Sequence, residues 1–315
     1  MKIITHEQIM NLNIDYKELY SWIQDSFKKK SSAILPNKIS ITQEGGKFFN
    51  TMPSVSTANN VFGVKVVTRK SDRKPTIDSQ IYLYDLDTYE IKAILDGNYI
   101  TAMRTACAST LAIDKLAKKD FKSIAIMGLG LVAVTTLDMI TKIFEDRKID
   151  VKLLSYKNQE DELIERFKDN KNLNFIVVDT VKELIENSDV VISSITYADS
   201  HISEYEWYKE GVLLLPVHVK GFSNVDKLFD KVYMDDFNNM KIIESFDEIK
   251  NKYELTDMLL DESKGRQNDK EKIISYNVGL STHDILFANN IYKKIEELGN
   301  LEEIKLNNIQ EKIWL

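Results

Sequence analysis

The spacing of apolar and polar positions changes character near residue 121. Ahead of it, Thr5 and Gln8 have capping-box spacing for a first short helix. Leu19, Trp22, Ile23 and Phe27 fall on one face of a helix over residues 16–30. Residues 38–95 read as β-rich, with strands over 38–42, 47–52, 61–68 and 76–84 and turn signals at Gly45-Gly46 and Asp85-Leu86-Asp87. A helix over 99–117 follows, carrying Arg104 near its start. Beyond Phe121, apolar runs at 123–127, 151–155, 175–178, 190–195, 212–216 and 232–234 alternate with helical patterns at 131–144, 160–167 and 181–186. Repeated β-α-β units of this size predict an α/β fold with a mostly parallel, doubly wound sheet. Residues 237–261 read as a charged helical cover and 273–277 as one more strand. The last helix starts at Ser281, gains a favourable first-turn charge from Asp284 and stops at Gly299. Its apolar set, Ile285, Ala288, Tyr292 and Ile295, suits a return to the N-terminal domain.

The first parallel unit holds the clearest chemistry, KSIAIMGLGLVAVTTLD at 122–138. Gly128, Gly130 and Ala133 stand at G-x-G-x-x-A spacing between a short apolar strand and a helical pattern, the order of a dinucleotide-binding crossover. Gly128 permits a tight turn, Gly130 lets backbone approach a pyrophosphate, and Ala133 lets the helix sit close on the sheet. The amides from Leu131 and Val132 onward would meet the phosphates at the helix N-terminus. The competing reading is a purely structural turn.

Composition narrows the remaining classes. With 315 residues the chain has room for two domains, and 43% hydrophobic with 29% charged residues is an ordinary globular mixture. A net charge of −7 argues against a nucleic-acid surface. No apolar run approaches the roughly 18 residues of a membrane span, and the N-terminus lacks a signal-peptide apolar core. The single cysteine, Cys107, excludes an internal disulfide framework and fits a reducing cytoplasm. Four histidines without metal-ligand spacing argue against a zinc site.

Three segments ahead of the glycine turn are unusual together: GVKVV at 63–67, LDG at 95–97 and TAMRTACAS at 101–109. A lysine inside an apolar strand is costly to bury unpaired, so Lys65 either reaches solvent or serves a site. Arg104, among small residues at a helix start, either pairs with a ligand carboxylate or makes a structural ion pair. Taken with SDVVISSIT at 188–196 and YNVGLSTHD at 276–284, these segments resemble the ornithine cyclodeaminase/μ-crystallin family, in order and over nearly the whole chain.

The resemblance implies a Rossmann-type NAD(P)-binding domain at 119–274, inserted in a split α+β substrate-binding and dimerisation domain at 1–118 and 275–315, and a homodimer. It matches Lys65 to the catalytic lysine and Arg104 to the arginine that holds the substrate carboxylate. Met52-Pro53 matches a pocket-lining pair, and Lys38 stands where many members have an arginine. Ser194 and Thr196 would lie near the nicotinamide, and Asn277 and Gly279 would border cofactor or pocket. A lysine desolvated near Arg104 would be suited to proton transfer near neutrality.

Two departures from the family pattern carry information. Cyclodeaminases place an aspartate in the loop after the fifth Rossmann strand, where this chain has Val217-His218-Val219-Lys220-Gly221-Phe222. His218 or Lys220 could replace it as a proton donor, or the stretch could be a surface loop. After the second Rossmann strand, Ser155-Tyr156-Lys157-Asn158 contains no acidic residue for a ribose, and Lys157 would attract a 2′-phosphate. NADP(H) is therefore expected in preference to NAD(H), with Tyr156 and Lys157 at the adenosine end. The expected activity is an NAD(P)H-dependent imine or ketimine reductase acting on C–N bonds of small amino or imino acids. Alternatives are an amino-acid condensing synthase of a natural-product or siderophore pathway, an ornithine cyclodeaminase and a non-catalytic crystallin-like cofactor binder.

Overall fold

The computed structural model describes residues 1–70, 72, 73, 76–196, 198, 200–299, 303 and 304. In chain order its strands are β1 (Lys2–Ile4), β2 (Ala33–Ile34), β3 (Ile39–Gln43), β4 (Lys47–Ser56), β5 (Val61–Arg69), β6 (Ile77–Asp85), β7 (Ile91–Asp96), β8 (Ser123–Met127), β9 (Ile149–Leu154), β10 (Leu173–Val178), β11 (Val190–Ser193), β12 (Leu213–Pro216), β13 (Lys231–Met234), β14 (Lys252–Glu254) and β15 (Ile273–Tyr276). The chain divides into two units. One comprises Met1–Ile14, Lys29–Thr101 and Ser281–Leu315, the other Asp15–Lys28 and Ala102–Leu280.

In the first unit, β7, β6, β5 and β4 form an antiparallel meander, extended by β1 parallel to β7 and by β2 and β3 on β4. Side chains alternate across it, so Asn50, Met52 and Ser54 share a buried face with Val61, Gly63, Lys65 and Val67, and with Ser79, Ile81 and Leu83. The helix Ser281–Glu297 packs on β4, β5 and β6 with Ile285, Ala288, Tyr292 and Ile295 buried, as its periodicity predicts. Gly63 sets that approach. A β-carbon there would come to 2.7 Å from Ile285 Cδ1 and would also meet the Tyr82 carbonyl. The Ser281 hydroxyl donates to the Pro53 carbonyl at 2.8 Å and pins the helix start to β4.

In the second unit, the strand order is β10-β9-β8-β11-β12-β15-β13-β14, and every pairing is parallel. All residues of β11, β12 and β15 are buried, as expected of strands covered on both faces. Val191, Leu214, Val232 and Ile274 belong to one core with Phe222, Phe229 and Tyr276. Fully burying one such side chain is worth about 1.5–3 kcal/mol. The doubly wound parallel sheet inserted in a split α+β unit is thus observed.

Several details differ from the sequence reading. Residues 237–261 are not one helix but a turn of helix at Phe237–Met240, the strand β14 and a helix at Leu255–Leu260. Charge density there masks a three-residue strand. The strands β1 and β2 are too short to show a period, and β7 continues the β-rich stretch. The units also divide the chain elsewhere than at 118 and 275. Tyr16–Lys28 groups with the parallel sheet, and the first boundary falls after Thr101, inside the helix Asn98–Leu116.

Candidate functional site

The glycine turn follows β8, and its two glycines are there for different reasons. Gly128 has φ +80°, and a β-carbon on it would come to 2.6 Å from Ile195 N. Ser194 closes this junction, its amide donating to Met127 O at 2.9 Å and its hydroxyl to Gly128 O at 2.5 Å. Gly130 has ordinary extended backbone, φ −79° and ψ −165°, and a β-carbon there would meet nothing within 4 Å. Neither strain nor packing asks for glycine at 130. It precedes the helix Leu131–Ile143, whose start, including Leu131 and Val132, has no side-chain cap. Open space beside uncapped helix amides is what a pyrophosphate requires, so the turn fits a dinucleotide. Thr196 is exposed just beyond Ser194.

The loop after β9 places a carboxylate that its own four residues lack. Lys157 and Asn158 adopt left-handed backbone, φ +56° and +61°. This bend returns Glu160 to the strand end, where its carboxylate accepts from Tyr156 N at 2.9 Å and Ser155 Oγ at 2.7 Å. Those bonds, the Tyr156 amide first, hold the Glu160 carboxyl below the usual range. Both oxygens are engaged by the loop itself. Tyr156 is exposed, with Lys157 Nζ 4.9 Å from its ring centre.

Arg104 is 6% exposed in the helix Asn98–Leu116, and its guanidinium lies against Gly279. Gly279, at φ +89°, donates its amide to Asp235 Oδ2 at 2.6 Å. It is therefore the seat of the arginine. Asn277 is also committed within the protein: its side-chain amide donates to Ala108 O at 3.1 Å and its carbonyl oxygen accepts from Ser275 Oγ at 3.1 Å. This accounts for its burial without a ligand.

In the first unit, Lys65 is 1% exposed and its Nζ lies 2.7 Å from Oδ2 of Asp284, which is fully buried. The solvated reading of Lys65 is thereby excluded. Met52 is its register partner on β4 and is buried beside it. Lys38 is exposed ahead of β3. Asp284 is more than a first-turn charge. A buried lysine calls for a buried carboxylate, and that requirement was the available signal for it.

His218 follows β12, with Nε2 2.6 Å from the buried Ser193 Oγ and its ring stacked on Phe222 at 5.9 Å. Burial pushes its pKa down to about 4, against an opposing backbone contact at Lys220. Burial thus keeps the imidazole neutral at neutral pH. Lys220 is exposed and lines a cavity of about 490 Å³ with His201, Ser223 and Glu244. The cavity lies among the loops that follow β11 and β12, the end of a parallel sheet where ligands bind. Among the described residues no helix is long and apolar enough to cross a membrane.

Comparison with known proteins agrees with this arrangement. The model of the ornithine cyclodeaminase/mu-crystallin family matches residues 2–299. The N-((2S)-2-amino-2-carboxyethyl)-L-glutamate dehydrogenase of Staphylococcus aureus is 28% identical over 272 residues, 78% of each chain. A delta(1)-pyrroline-2-carboxylate reductase of Bacillus thuringiensis is 26% identical over 79% of this chain and 82% of its own. The structure of Thermococcus litoralis delta(1)-pyrroline-2-carboxylate reductase, in complex with NADH and L-proline, superposes with a TM-score of 0.85 at 25% identity, covering 96% of this chain and 100% of that one. The matched span takes in the lysine strand, the glycine turn and the last helix, and the chain belongs to the ornithine cyclodeaminase/mu-crystallin family.

Proposed function

We propose that the protein is an NAD(P)H-dependent oxidoreductase that reduces the C=N bond of small 2-imino acids, or runs the reverse oxidation of amino acids. The observation that carries this reading is Gly130, a glycine that neither strain nor packing requires, beside uncapped helix amides in a member of a family with imino-acid reductases among its relatives. Gly128, Gly130 and the amides of Leu131 and Val132 would hold the pyrophosphate, and Ser194 and Thr196 the nicotinamide end. When bound, the cofactor supplies a hydride to the α-carbon. Arg104 would clamp the α-carboxylate as a planar fork, with Lys38 a weaker second contact and Met52 an apolar wall. Lys65 would give a proton from Nζ to the imine nitrogen, so that hydride and proton together yield the amine. Lys220 and Gly221 stand where cyclodeaminases have an aspartate, which favours reduction over cyclodeamination. The test is fluorescence titration with NADPH and NADH, then 340 nm absorbance with a panel of 2-imino acids and of 2-oxo acids with amines. Coenzyme binding without turnover would leave the crystallin-like reading.

A second reading has a specific support. The cavity beside Lys220 is large for a proline-sized molecule, and the Staphylococcus aureus relative is named for a glutamate bearing an amino-acid substituent on nitrogen. An enzyme that joins two amino acids through an imine would use the same residues. Product analysis by mass spectrometry separates the two.

Lys157, with Glu160 engaged by its own loop, favours NADP(H), with NAD(H) accepted. Exposed Ile39, Ile41 and Phe49 on β3 and β4 favour a homodimer through this ribbon, testable by light scattering. A chain with one buried cysteine suits a reducing cytoplasm.

A further inference from the structure

We infer that Asp284 is the positioning residue for Lys65, holding its Nζ in one place as an ammonium ready to donate. The inference deepens the reductase reading and rests on its assignment of Lys65 as the proton donor. Three observations in one unit carry it. The pair is 2.7 Å apart with both side chains at or below 1% exposure, so water does not screen it. Asp284 lies in the first turn of the helix Ser281–Glu297, where the helix dipole favours a carboxylate. Gly63, two residues before Lys65 on the same face, is the gap that lets Ile285, next to Asp284, approach β5. The chain thus spends a glycine and a helix N-terminus on bringing this carboxylate to this amine.

Among the described residues, the other charges on that face of the sheet, Lys2, Arg69 and Asp85, stand farther along it in register. Met52 and Ile81 are its register partners on β4 and β6, and Asn50, Ser54, Ser79 and Leu83 are the next residues along, none of them ionisable near neutrality. From the helix, His283 precedes Asp284 and is also fully buried. An opposite charge this close favours the ammonium, against the burial that disfavours it. A lysine that must begin each reduction protonated gains from it. A long, flexible side chain also loses its wandering.

The test uses full-length protein, NADPH and Δ1-pyrroline-2-carboxylate, with Asp284→Asn and Asp284→Glu beside the parent. The expected result for Asp284→Asn is a kcat at least tenfold lower, unchanged coenzyme affinity and an alkaline limb of kcat/KM moved down by roughly one pH unit or more, with Asp284→Glu recovering part of each. An Asp284→Asn enzyme with parental kcat and pH profile overturns the inference. Nitrogen-15 NMR of lysine-labelled parent protein, with Lys65 identified by Lys65→Met, decides the matter if the Asn variant fails to fold. A Lys65 ammonium that gives its own signal and titrates apart from the exposed lysines supports the inference, and one that titrates with them overturns it. If the parent reduces no imino acid, the reductase reading fails on the assay while the NMR titration still judges the pairing.

Discussion

The guanidinium of Arg104 rests on the bare α-carbon of Gly279: a β-carbon there would come to 2.6 Å from Cζ and 2.9 Å from Nη2. On its other side, Gly279 is tied by its amide to Asp235, a fully buried carboxylate. The backbone therefore has little room to yield. Gly279→Ala must displace the arginine, and charge-assisted bonds to a carboxylate contribute about 1.5–3 kcal/mol each. We expect KM for a 2-imino acid to rise at least tenfold, with kcat and coenzyme affinity much less affected. Steady-state kinetics check this, and a parental KM would mean that Arg104 does not bind the carboxylate.

The two glycines of the turn should part company under substitution. Gly130→Ala places a methyl group in open space on unstrained backbone, so the melting temperature of the free protein should hold. Its affinity for NADPH should fall tenfold or more. Gly128→Ala meets both a left-handed φ and the 194–195 backbone, and should destabilise the protein by about 1–3 kcal/mol or more before any ligand is added. Paired melting curves and fluorescence titrations read both effects.

His218 makes stability depend on pH in a known direction. Its folded pKa of about 4 lies below the value near 6.5 expected when unfolded. Between those values the unfolded chain binds the proton and the native one does not, so stability falls as pH drops from 6.5 towards 4. The full effect is on the order of 3 kcal/mol. His218→Gln should flatten that part of the stability profile in denaturant titrations. An unchanged slope would place the acid sensitivity elsewhere.

The proposed coenzyme preference rests on the loop after β9. Lys157→Ala should weaken NADPH binding about tenfold and leave NADH nearly unchanged, since only the former carries the 2′-phosphate. Glu160→Gln removes the charge that Tyr156 N and Ser155 Oγ stabilise and should loosen the loop for both coenzymes. Competitive binding of the two nucleotides measures each. Equal loss of both in Lys157→Ala would remove Lys157 as the discriminating residue.

The parallel sheet was legible because its strands other than β14 are bounded apolar runs, and the capping box at Thr5–Gln8 forms as its spacing predicts. Gly128 and Gly130 could be found from spacing, but not told apart: one answers to backbone and neighbours, the other to empty space. Lys65 and Arg104 stand out as charges among apolar or small residues. Their supports, Asp284 and Gly279, do not, because a first-turn aspartate and a loop glycine have ordinary local explanations. Both act on residues more than 170 positions away along the chain. Glu160 escaped for a smaller reason, the two left-handed residues that fold it back onto its own strand end.

The cover over β4, β5 and β6 comes from the helix at Ser281–Glu297, made long after those strands. On the ribosome, the face bearing Met52, Lys65 and Ile81 must wait, uncovered, while the whole parallel sheet is synthesised. A nascent chain stalled before residue 281 would display that surface to chaperones and to other unfinished copies. It would also hold a lysine whose counter-charge has not yet been translated.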